Sequence, residues 1–290
     1  MTTPAAPAAR TRSLADRVRR CGPWLAVAPF LLVMLVGLVL PVIVLATGAF
    51  EGDSLSNSFN AGYRSAFWGS VKLSVVCAVL GAVVGLPVAQ AVLAGGSVLR
   101  RLVLTVSGVL ANFGGVPLAF MFIATIGNAG VVTSLLSDWT GFDLGNSPFS
   151  LYQFGGLAVV YLYFLVPLMV IVIAPALDGV RAEWSEAAEN LGATRAQYWR
   201  HVAGPLLAPP VMAGALLLFC ASMSAFATAQ AMVGGTVPLV TLQIANALSG
   251  NVSADNAGVG AALAIEMIAL VGVVMAAYWT IERRTARWLR

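Results

Sequence analysis

The sequence predicts an all-α, polytopic membrane protein with six transmembrane helices. The chain of 290 residues is 59% hydrophobic and only 10% charged, whereas about a quarter of the residues in soluble domains are charged. It contains six apolar runs, and each exceeds the roughly 20 residues that a helix needs to cross the hydrocarbon layer. Arginine clusters lie between alternate runs, which favours an even number of spans.

The six spans are predicted at residues 23–47, 66–93, 102–126, 152–176, 205–230 and 257–281. One transmembrane domain, residues 22–290, contains them and follows a basic tail, residues 1–21. The first run is too long for the apolar part of a cleavable signal peptide and lacks a convincing cleavage site, so we interpret it as a retained span. The apolar segment 237–248 is too short to span and is predicted to form an interfacial or re-entrant helix.

The placement of arginine predicts the orientation of the spans. Arginines precede the first span, separate the second from the third and the fourth from the fifth, and follow the sixth. They are Arg10, Arg12, Arg17, Arg19, Arg20, Arg100, Arg101, Arg181, Arg195, Arg200, Arg283, Arg284, Arg287 and Arg290. The loops on the opposite side, 48–65, 127–151 and 231–256, contain one arginine, Arg64. Because cytoplasmic loops are enriched in basic residues, both termini are predicted to be cytoplasmic.

Several function classes lack their sequence signatures. There is no GxxxxGK[ST] phosphate loop, and the only lysine, Lys72, lies within a span. No cluster of His, Cys, Asp and Glu has the spacing of metal ligands, and no nucleophile–base pair stands out. The basic residues lack interleaved aromatic residues, which argues against nucleic-acid binding. The chain is therefore predicted to have no catalytic residues, to bind no metal or cofactor itself, and not to be an enzyme.

The loop between the fourth and fifth spans, residues 182–204, concentrates charge and is predicted to fold as a helical hairpin. In its first arm an apolar stripe recurs at i, i+3, i+4 and i+7. The stripe consists of Trp184, Ala187, Ala188 and Leu191. Gly192 then suits the left-handed residue that ends a helix. Thr194 and Gln197 form a capping-box pattern that starts a second arm.

The second arm is expected to run to about Val202 and to stop at Gly204, with Pro205 as a first-turn proline of the fifth span. A hairpin of this size cannot bury its stripe within itself, so the stripe either lies on the membrane surface or docks into a partner. The two small alanines at its centre favour docking. The acidic charges near Glu186 favour docking too, because anionic lipid would repel them.

The hairpin sequence resembles the cytoplasmic signature of the permeases of binding-protein-dependent ABC importers. That signature is Glu-Ala-Ala, three residues, Gly, nine residues, and then Ile-x-Leu-Pro. This chain has Glu186-Ala187-Ala188, three residues, Gly192, nine residues, and then Val202-Ala203-Gly204-Pro205. Gly204 departs from the leucine of the signature. The match lies in the expected loop, before the penultimate span of a six-span chain.

The resemblance implies the type I importer permease fold in the bacterial inner membrane, with this chain as half of the path for a small polar solute. The hairpin would couple to a cytoplasmic ATPase dimer, which would bind ATP and Mg²⁺. The implied coupling residues are Glu186, Ala187, Ala188, Leu191, Gly192 and Pro205. A second permease subunit, a paralogue rather than an identical copy, and an extracytoplasmic solute-binding protein would complete the assembly in membrane lipid.

The stretch "EAAENLGAT" and residues 224–235, "SAFATAQAMVGG", look like the branch of this family that imports polyamines such as spermidine and putrescine, ferric iron, phosphonates or sulfate. Polar positions inside the apolar spans are candidates for the translocation path. They are Asn112, Ser224, Thr228, Gln230 and Glu266. Asn112 adjoins Gly114 and Gly115, where a helix can kink and expose backbone. The alternative is that these polar groups serve helix packing.

Glu266 lies near the middle of the sixth span, where a carboxyl group is costly and often functional. It either faces the path and attracts a cationic solute, pairs with Lys72, or is protonated and bonded to a neighbouring helix. Two other function classes are an ion-coupled secondary transporter and a membrane scaffold, and both would act without an ATPase. The sequence shows no convincing internal repeat, which argues against the secondary transporter.

Overall fold

The computed structural model describes residues 14–141, 150–249 and 257–286, and its secondary structure in these ranges is helical throughout. The helices are α1 (Leu14–Ala49), α2 (Ser54–Ser58), α3 (Ala61–Ala94), α4 (Ser97–Asn112), α5 (Val116–Ile126), α6 (Val131–Thr140), α7 (Phe154–Asp178), α8 (Ala182–Asn190), α9 (Arg195–Tyr198), α10 (Gly204–Ser224), α11 (Phe226–Val233), α12 (Val240–Leu248) and α13 (Ala257–Ala286). A π turn, Trp199–Ala203, joins α9 to α10.

Six helical segments of the described chain are long and apolar enough to cross a membrane. They are Val27–Ala49, Ala61–Ala94, Val116–Trp139, Phe154–Asp178, Arg195–Ser224 and Ala257–Thr280. The predicted all-α class and the number of spans are therefore confirmed, but the third span lies at Val116–Trp139 and not at the predicted 102–126. Helix α1 begins at Leu14, within the basic tail predicted for residues 1–21. Residues 1–13 and 287–290 lie outside the described residues, and the cytoplasmic placement of the termini stays a prediction.

The segment predicted as the third span, residues 102–126, is not one continuous helix. It is broken after Asn112, because Gly115 has a φ of +82°, a left-handed value that favours glycine and is foreign to a right-handed helix. Pro117 then occupies the first turn of α5, where its missing N–H costs nothing. The kink expected at the glycine pair is thus a complete break. The fifth span has a second break at Ala225, between α10 and α11.

The core of the bundle lies where α3, α7 and α10 pack together. Its centre is α7, whose large side chains that are at most 1% exposed include Tyr161, Leu165, Met169 and Ile173. Two glycines of α3 allow the helices to approach closely. A Cβ on Gly81 would lie 2.5 Å from Leu218 Cδ2, and a Cβ on Gly85 would lie 2.7 Å from Met169 Cβ. This Gly-x-x-x-Gly spacing therefore serves helix packing.

The apolar segment 237–248 forms the short helix α12, as its length predicted. The helix packs against α3 and α13. Val240 and Leu242 are almost completely buried, and the Val240 N–H donates a hydrogen bond of 2.8 Å to Ser70 Oγ on α3. These contacts fix α12 to the bundle through a backbone donor that would otherwise be buried without a partner.

Candidate functional site: the hairpin and the helix breaks

The first arm of the hairpin is α8, and its apolar stripe is largely open to contact. Leu191, directly after the helix, is 89% exposed, and Trp184 is 38% exposed. Ala187 is exposed and Ala188 is half-buried. Glu186 is also exposed, but at 3.6 residues per turn it lies about 140° around the helix from Leu191. A partner that contacts both residues must therefore surround the helix, as a cleft does.

The turn after α8 is a Schellman motif, which confirms the predicted role of Gly192. Its φ is +78°, a conformation that costs glycine little. The Gly192 N–H donates to the Glu189 carbonyl at 2.9 Å, and the Ala193 N–H donates to the Ala188 carbonyl at 2.9 Å. These bonds satisfy two carbonyls at the end of the helix and fix the direction in which Leu191 projects.

The second arm begins with the predicted capping box. The Gln197 N–H donates to Thr194 Oγ1 at 3.3 Å, and the Thr194 N–H donates to Gln197 Oε1 at 2.7 Å. The prediction that this arm stops at Gly204 is wrong, whereas the prediction of Pro205 as a first-turn proline is confirmed. The backbone stays right-handed and helical through the π turn and into α10, and Pro205 sits in the first turn of α10. The second arm and the fifth span are therefore one continuous helical rod.

An ion pair braces the start of the hairpin. Arg100 of α4 donates to the carboxylate of Asp178, the last residue of α7, and both side chains are about 40% exposed. Among the residues whose side chains the structure describes, it is the single salt bridge. Sequence reasoning missed it, although both residues lie at ends of spans on the same predicted side. An exposed pair of this kind contributes at most about 1 kcal/mol to the free energy of unfolding. The pair connects α4 to the end of α7.

The two helix breaks are joined to each other by one threonine. Thr228 of α11 is 2% exposed. Its Oγ1 accepts the Gly115 N–H at 2.9 Å and lies 3.4 Å from the Gly115 carbonyl oxygen. At the other break, the Tyr161 hydroxyl donates to the Ala225 carbonyl at 2.6 Å. Backbone groups that the breaks free from the helical ladder thus find side-chain partners, as buried backbone requires in a membrane.

The other candidate path residues are placed differently. Asn112 Nδ2 donates to the Gly108 carbonyl at 2.9 Å, and Ser224 Oγ donates to the Ala221 carbonyl at 3.1 Å. Both side chains are exposed, as is Gln230. Of the four uncharged candidates, the structure therefore ties Thr228 to another span, whereas Asn112 and Ser224 bond to their own helices. Their role in a path stays a prediction.

Glu266 contacts the short helix α2, which lies in the loop between the first and second spans. The Ser58 hydroxyl, on α2, is 2% exposed and lies 2.5 Å from Glu266 Oε1 as a hydrogen-bond donor. Lys72 Nζ instead lies 5.3 Å from the centre of the Phe154 ring, a cation–π distance. The structure thus gives no support to the pairing of Glu266 with Lys72. It agrees with a carboxyl group that is bonded to a neighbouring helix.

Comparison with known proteins gives a family match. A sequence model of the family described as "Binding-protein-dependent transport system inner membrane component" matches residues 79–287, which is more than half of the chain.

Curated relatives match shorter segments. The sulfate transport system permease protein CysT of Salmonella typhimurium is 39% identical over 75 residues, 26% of this chain and 27% of the relative. The putative ferric transport system permease protein FbpB 1 of Haemophilus influenzae is 29% identical over 126 residues, 43% of this chain and 19% of the relative. The spermidine/putrescine transport system permease protein PotB of Escherichia coli is 28% identical over 127 residues, 42% of this chain and 43% of the relative. The chain thus spans less than half the length of each of these relatives.

A solved structure matches over almost the whole chain. It is a bacterial ABC transporter involved in the import of the acidic polysaccharide alginate, with a TM-score of 0.73. The match covers 93% of this chain and 98% of that chain at 19% identity, and it confirms the predicted importer permease fold. A second structure of a bacterial alginate ABC transporter, in complex with an alginate pentasaccharide-bound periplasmic protein, matches with the same TM-score.

Proposed function

The chain belongs to the family of binding-protein-dependent transport system inner membrane components, and from this premise we propose that it is a permease subunit of an ATP-driven ABC importer. It is a multi-pass protein of the bacterial inner membrane. In the proposed importer it forms half of the translocation path, and a second permease subunit, a paralogue, forms the other half. An extracytoplasmic binding protein delivers the solute.

The exposed stripe of the hairpin is the observation that supports this proposal most directly. Leu191 is 89% exposed at the end of a helix whose terminal turn is fixed by two backbone hydrogen bonds. An exposed apolar stripe at i, i+3, i+4 and i+7 is typical of a helix that binds in a hydrophobic groove of a partner. The proposed partner is a cleft of a cytoplasmic ATPase subunit, in which apolar side chains receive the stripe and a basic group bonds Glu186 on the opposite face.

The proposed coupling is mechanical. ATP and Mg²⁺ bind to the ATPase dimer, and its closure draws the docked hairpins of two permease subunits together. Because the second arm continues into α10 without a break, displacement of the hairpin moves the fifth span. The break at Ala225 separates this rod from α11, whose Thr228 is bonded to the break of the third span. We expect a displacement of the rod to reach the Thr228–Gly115 contact through α11, which follows the rod in the chain.

The proposed solute is small and polar, of the kind imported by the sulfate, ferric and spermidine/putrescine branch. Relatives named for all three solute types match this chain, so their names support the branch and not one solute. The described path candidates include four uncharged side chains and one carboxyl group, and that carboxyl group is bonded to Ser58. Because only one path candidate is ionisable, we propose that the binding protein, and not the permease, determines which solute is imported.

Uptake by cells that lack the native gene tests the docking hairpin. The double substitution Glu186→Arg and Gly192→Val is expected to abolish uptake at unchanged protein level. It reverses the charge and places a β-branched residue at a φ of +78°. Gly141→Val is the matched control, since Gly141 also ends a helix with a φ of +66° but lies in the loop on the other predicted side. Unchanged uptake in the double variant would contradict the proposal.

The alternative classes make a different prediction for the same cells. An ion-coupled transporter would support uptake after deletion of the partner ATPase gene, and a scaffold would show no dependence on solute at all. The importer requires both the ATPase and the binding protein.

A further inference from the structure

The junction between the hairpin and the fifth span contains a π turn that only glycine permits. The Gly204 N–H donates to the Trp199 carbonyl, five residues back, in place of the usual partner four residues back. A Cβ on Gly204 would lie 2.5 Å from that same carbonyl oxygen. Real side chains do not come this close to a backbone atom, so any residue other than glycine at this position forces the π turn to open.

The burial pattern around the junction follows the π turn. Tyr198, Ala203 and Leu207 are 8%, 0% and 4% exposed. The first two are five residues apart, and in a regular α-helix with 3.6 residues per turn they would point about 140° away from each other. In a π turn the hydrogen bonds run from i to i+5, so each turn holds more residues than in an α-helix and the angle between residues five apart becomes smaller. The wider turn therefore lets Tyr198 and Ala203 both face the bundle.

The departure from the importer signature and the π turn are consequently one feature. The signature has leucine where this chain has Gly204, and the structure has no room for a leucine side chain there. The π turn holds one residue more than an α-helical turn, so its loss would rotate the hairpin by about 100° relative to the fifth span and shift it by about 1.5 Å. The Leu191 face would then point in a different direction.

We propose that Gly204 is a positioning residue for energy coupling. By holding the π turn, it sets the rotational angle between the docking stripe of the hairpin and the fifth span, so that a docked ATPase moves the span in the productive direction. This inference rests on the proposed function, since it assumes that the hairpin is the docking element. Docking of the hairpin alone requires neither Gly204 nor the π turn that its missing Cβ permits, so the inference goes beyond the proposed function.

Two variants separate the presence of the π turn from the angle that it sets. Gly204→Ala adds the Cβ that collides with the Trp199 carbonyl oxygen, so the turn opens and the hairpin rotates, whereas deletion of Val202 removes the extra residue and leaves a regular helix in which the hairpin keeps its angle to the fifth span. Gly272→Ala is the matched control, because Gly272 is also inside a helix but has no atom within 4 Å of its added Cβ. The permease is reconstituted with the proposed ATPase and second permease subunit. Solute uptake, ATP hydrolysis and the Kd for the ATPase are then measured.

In Gly204→Ala, solute transported per ATP is expected to fall at least tenfold, whereas the deletion variant is expected to keep the wild-type ratio because its hairpin keeps the original angle. The Kd for the ATPase is expected to stay within about twofold of wild type in both variants, and Gly272→Ala is expected to change neither quantity. A purely structural role for the turn would lower protein yield and leave the transport-to-hydrolysis ratio intact. Wild-type transport per ATP in Gly204→Ala, or a loss of transport per ATP in the deletion variant, would overturn the inference. Absence of coupled transport in the wild type would instead overturn the proposed function.

A wild-type measurement covers the case in which neither variant folds. Spin labels at the exposed positions Ala196 and Met212, in a chain whose native cysteines are replaced, report on the rod directly. A continuous helix that contains the π turn predicts a single narrow distance distribution, with a backbone separation of about 22 Å, against about 24 Å for a regular helix of the same residues. A broad or bimodal distribution would show that the helix is broken at Gly204 and would overturn the inference.

Discussion

Replacing Leu191 with alanine is expected to weaken docking of the ATPase without destabilising the permease. The side chain is 89% exposed, so the folded permease loses little packing when it is shortened. The backbone bond from the Leu191 N–H to the Ala187 carbonyl, 3.1 Å long, does not depend on the side chain. Exposed substitutions of this type usually change the free energy of unfolding by no more than about 0.5 kcal/mol.

The size of the docking effect follows from the apolar surface that Leu191 offers. Each buried CH₂ group stabilises a complex by about 0.8 kcal/mol, and alanine lacks three carbon atoms of the leucine side chain. Since nearly all of this side chain is available for burial, docking is expected to lose about 2 kcal/mol. Every 1.4 kcal/mol or so is a tenfold change in Kd, so the Kd of the ATPase for the permease is expected to rise roughly 30-fold.

The assay is titration of purified ATPase subunits onto the permease in lipid nanodiscs, with thermal unfolding of the permease measured in parallel. Leu135→Ala is the control, since Leu135 is 54% exposed on α6, on the other predicted side of the membrane. Its Kd is expected to match wild type. A Kd within twofold of wild type for Leu191→Ala would refute docking through the stripe and favour a hairpin that lies on the membrane surface.

Three further substitutions test the contacts within the bundle. Thr228→Val keeps the shape of the side chain but leaves the Gly115 N–H without its partner, so the free energy of unfolding in detergent should fall by about 1 kcal/mol; an unchanged value would show that the two breaks are not coupled through this bond. Glu266→Gln retains an acceptor for the Ser58 hydroxyl, so stability and solute selectivity in uptake assays should stay as in wild type, whereas a loss of cation uptake would place the carboxylate in the path. In Gly85→Leu the added Cβ would lie 2.7 Å from Met169 Cβ of α7, so the free energy of unfolding should fall by about 1–3 kcal/mol. The measurement is the midpoint of thermal unfolding, and a wild-type midpoint would contradict the close packing of α3 on α7.

The sequence was a good guide wherever structure depends on neighbours along the chain. The Schellman turn at Gly192 and the capping box of Thr194 and Gln197 form from residues within one or two turns of each other. The spans likewise follow from local hydropathy. The position of α12 within 237–248 could be predicted for the same reason.

Features that depend on distant contacts could not be read in this way. Thr228 bonds Gly115 across 113 residues, and Ser58 bonds Glu266 across 208 residues. Nothing in either local sequence indicates the partner. The wrongly predicted helix stop at Gly204 has a different cause. A Gly-Pro pair is a common stop signal, but here Gly204 permits a π turn and Pro205 starts the next helical segment, so the helix continues.

The rate of ATP hydrolysis in proteoliposomes is the most direct test of the proposed importer. The permease would be reconstituted with the proposed ATPase and second permease subunit, and the proposed binding protein would be added from the other side, empty or loaded with solute. The importer predicts that loaded binding protein stimulates hydrolysis several-fold and that stimulation disappears when this chain is omitted. Equal hydrolysis with and without loaded binding protein, or solute uptake by this chain in the absence of the ATPase, would contradict it.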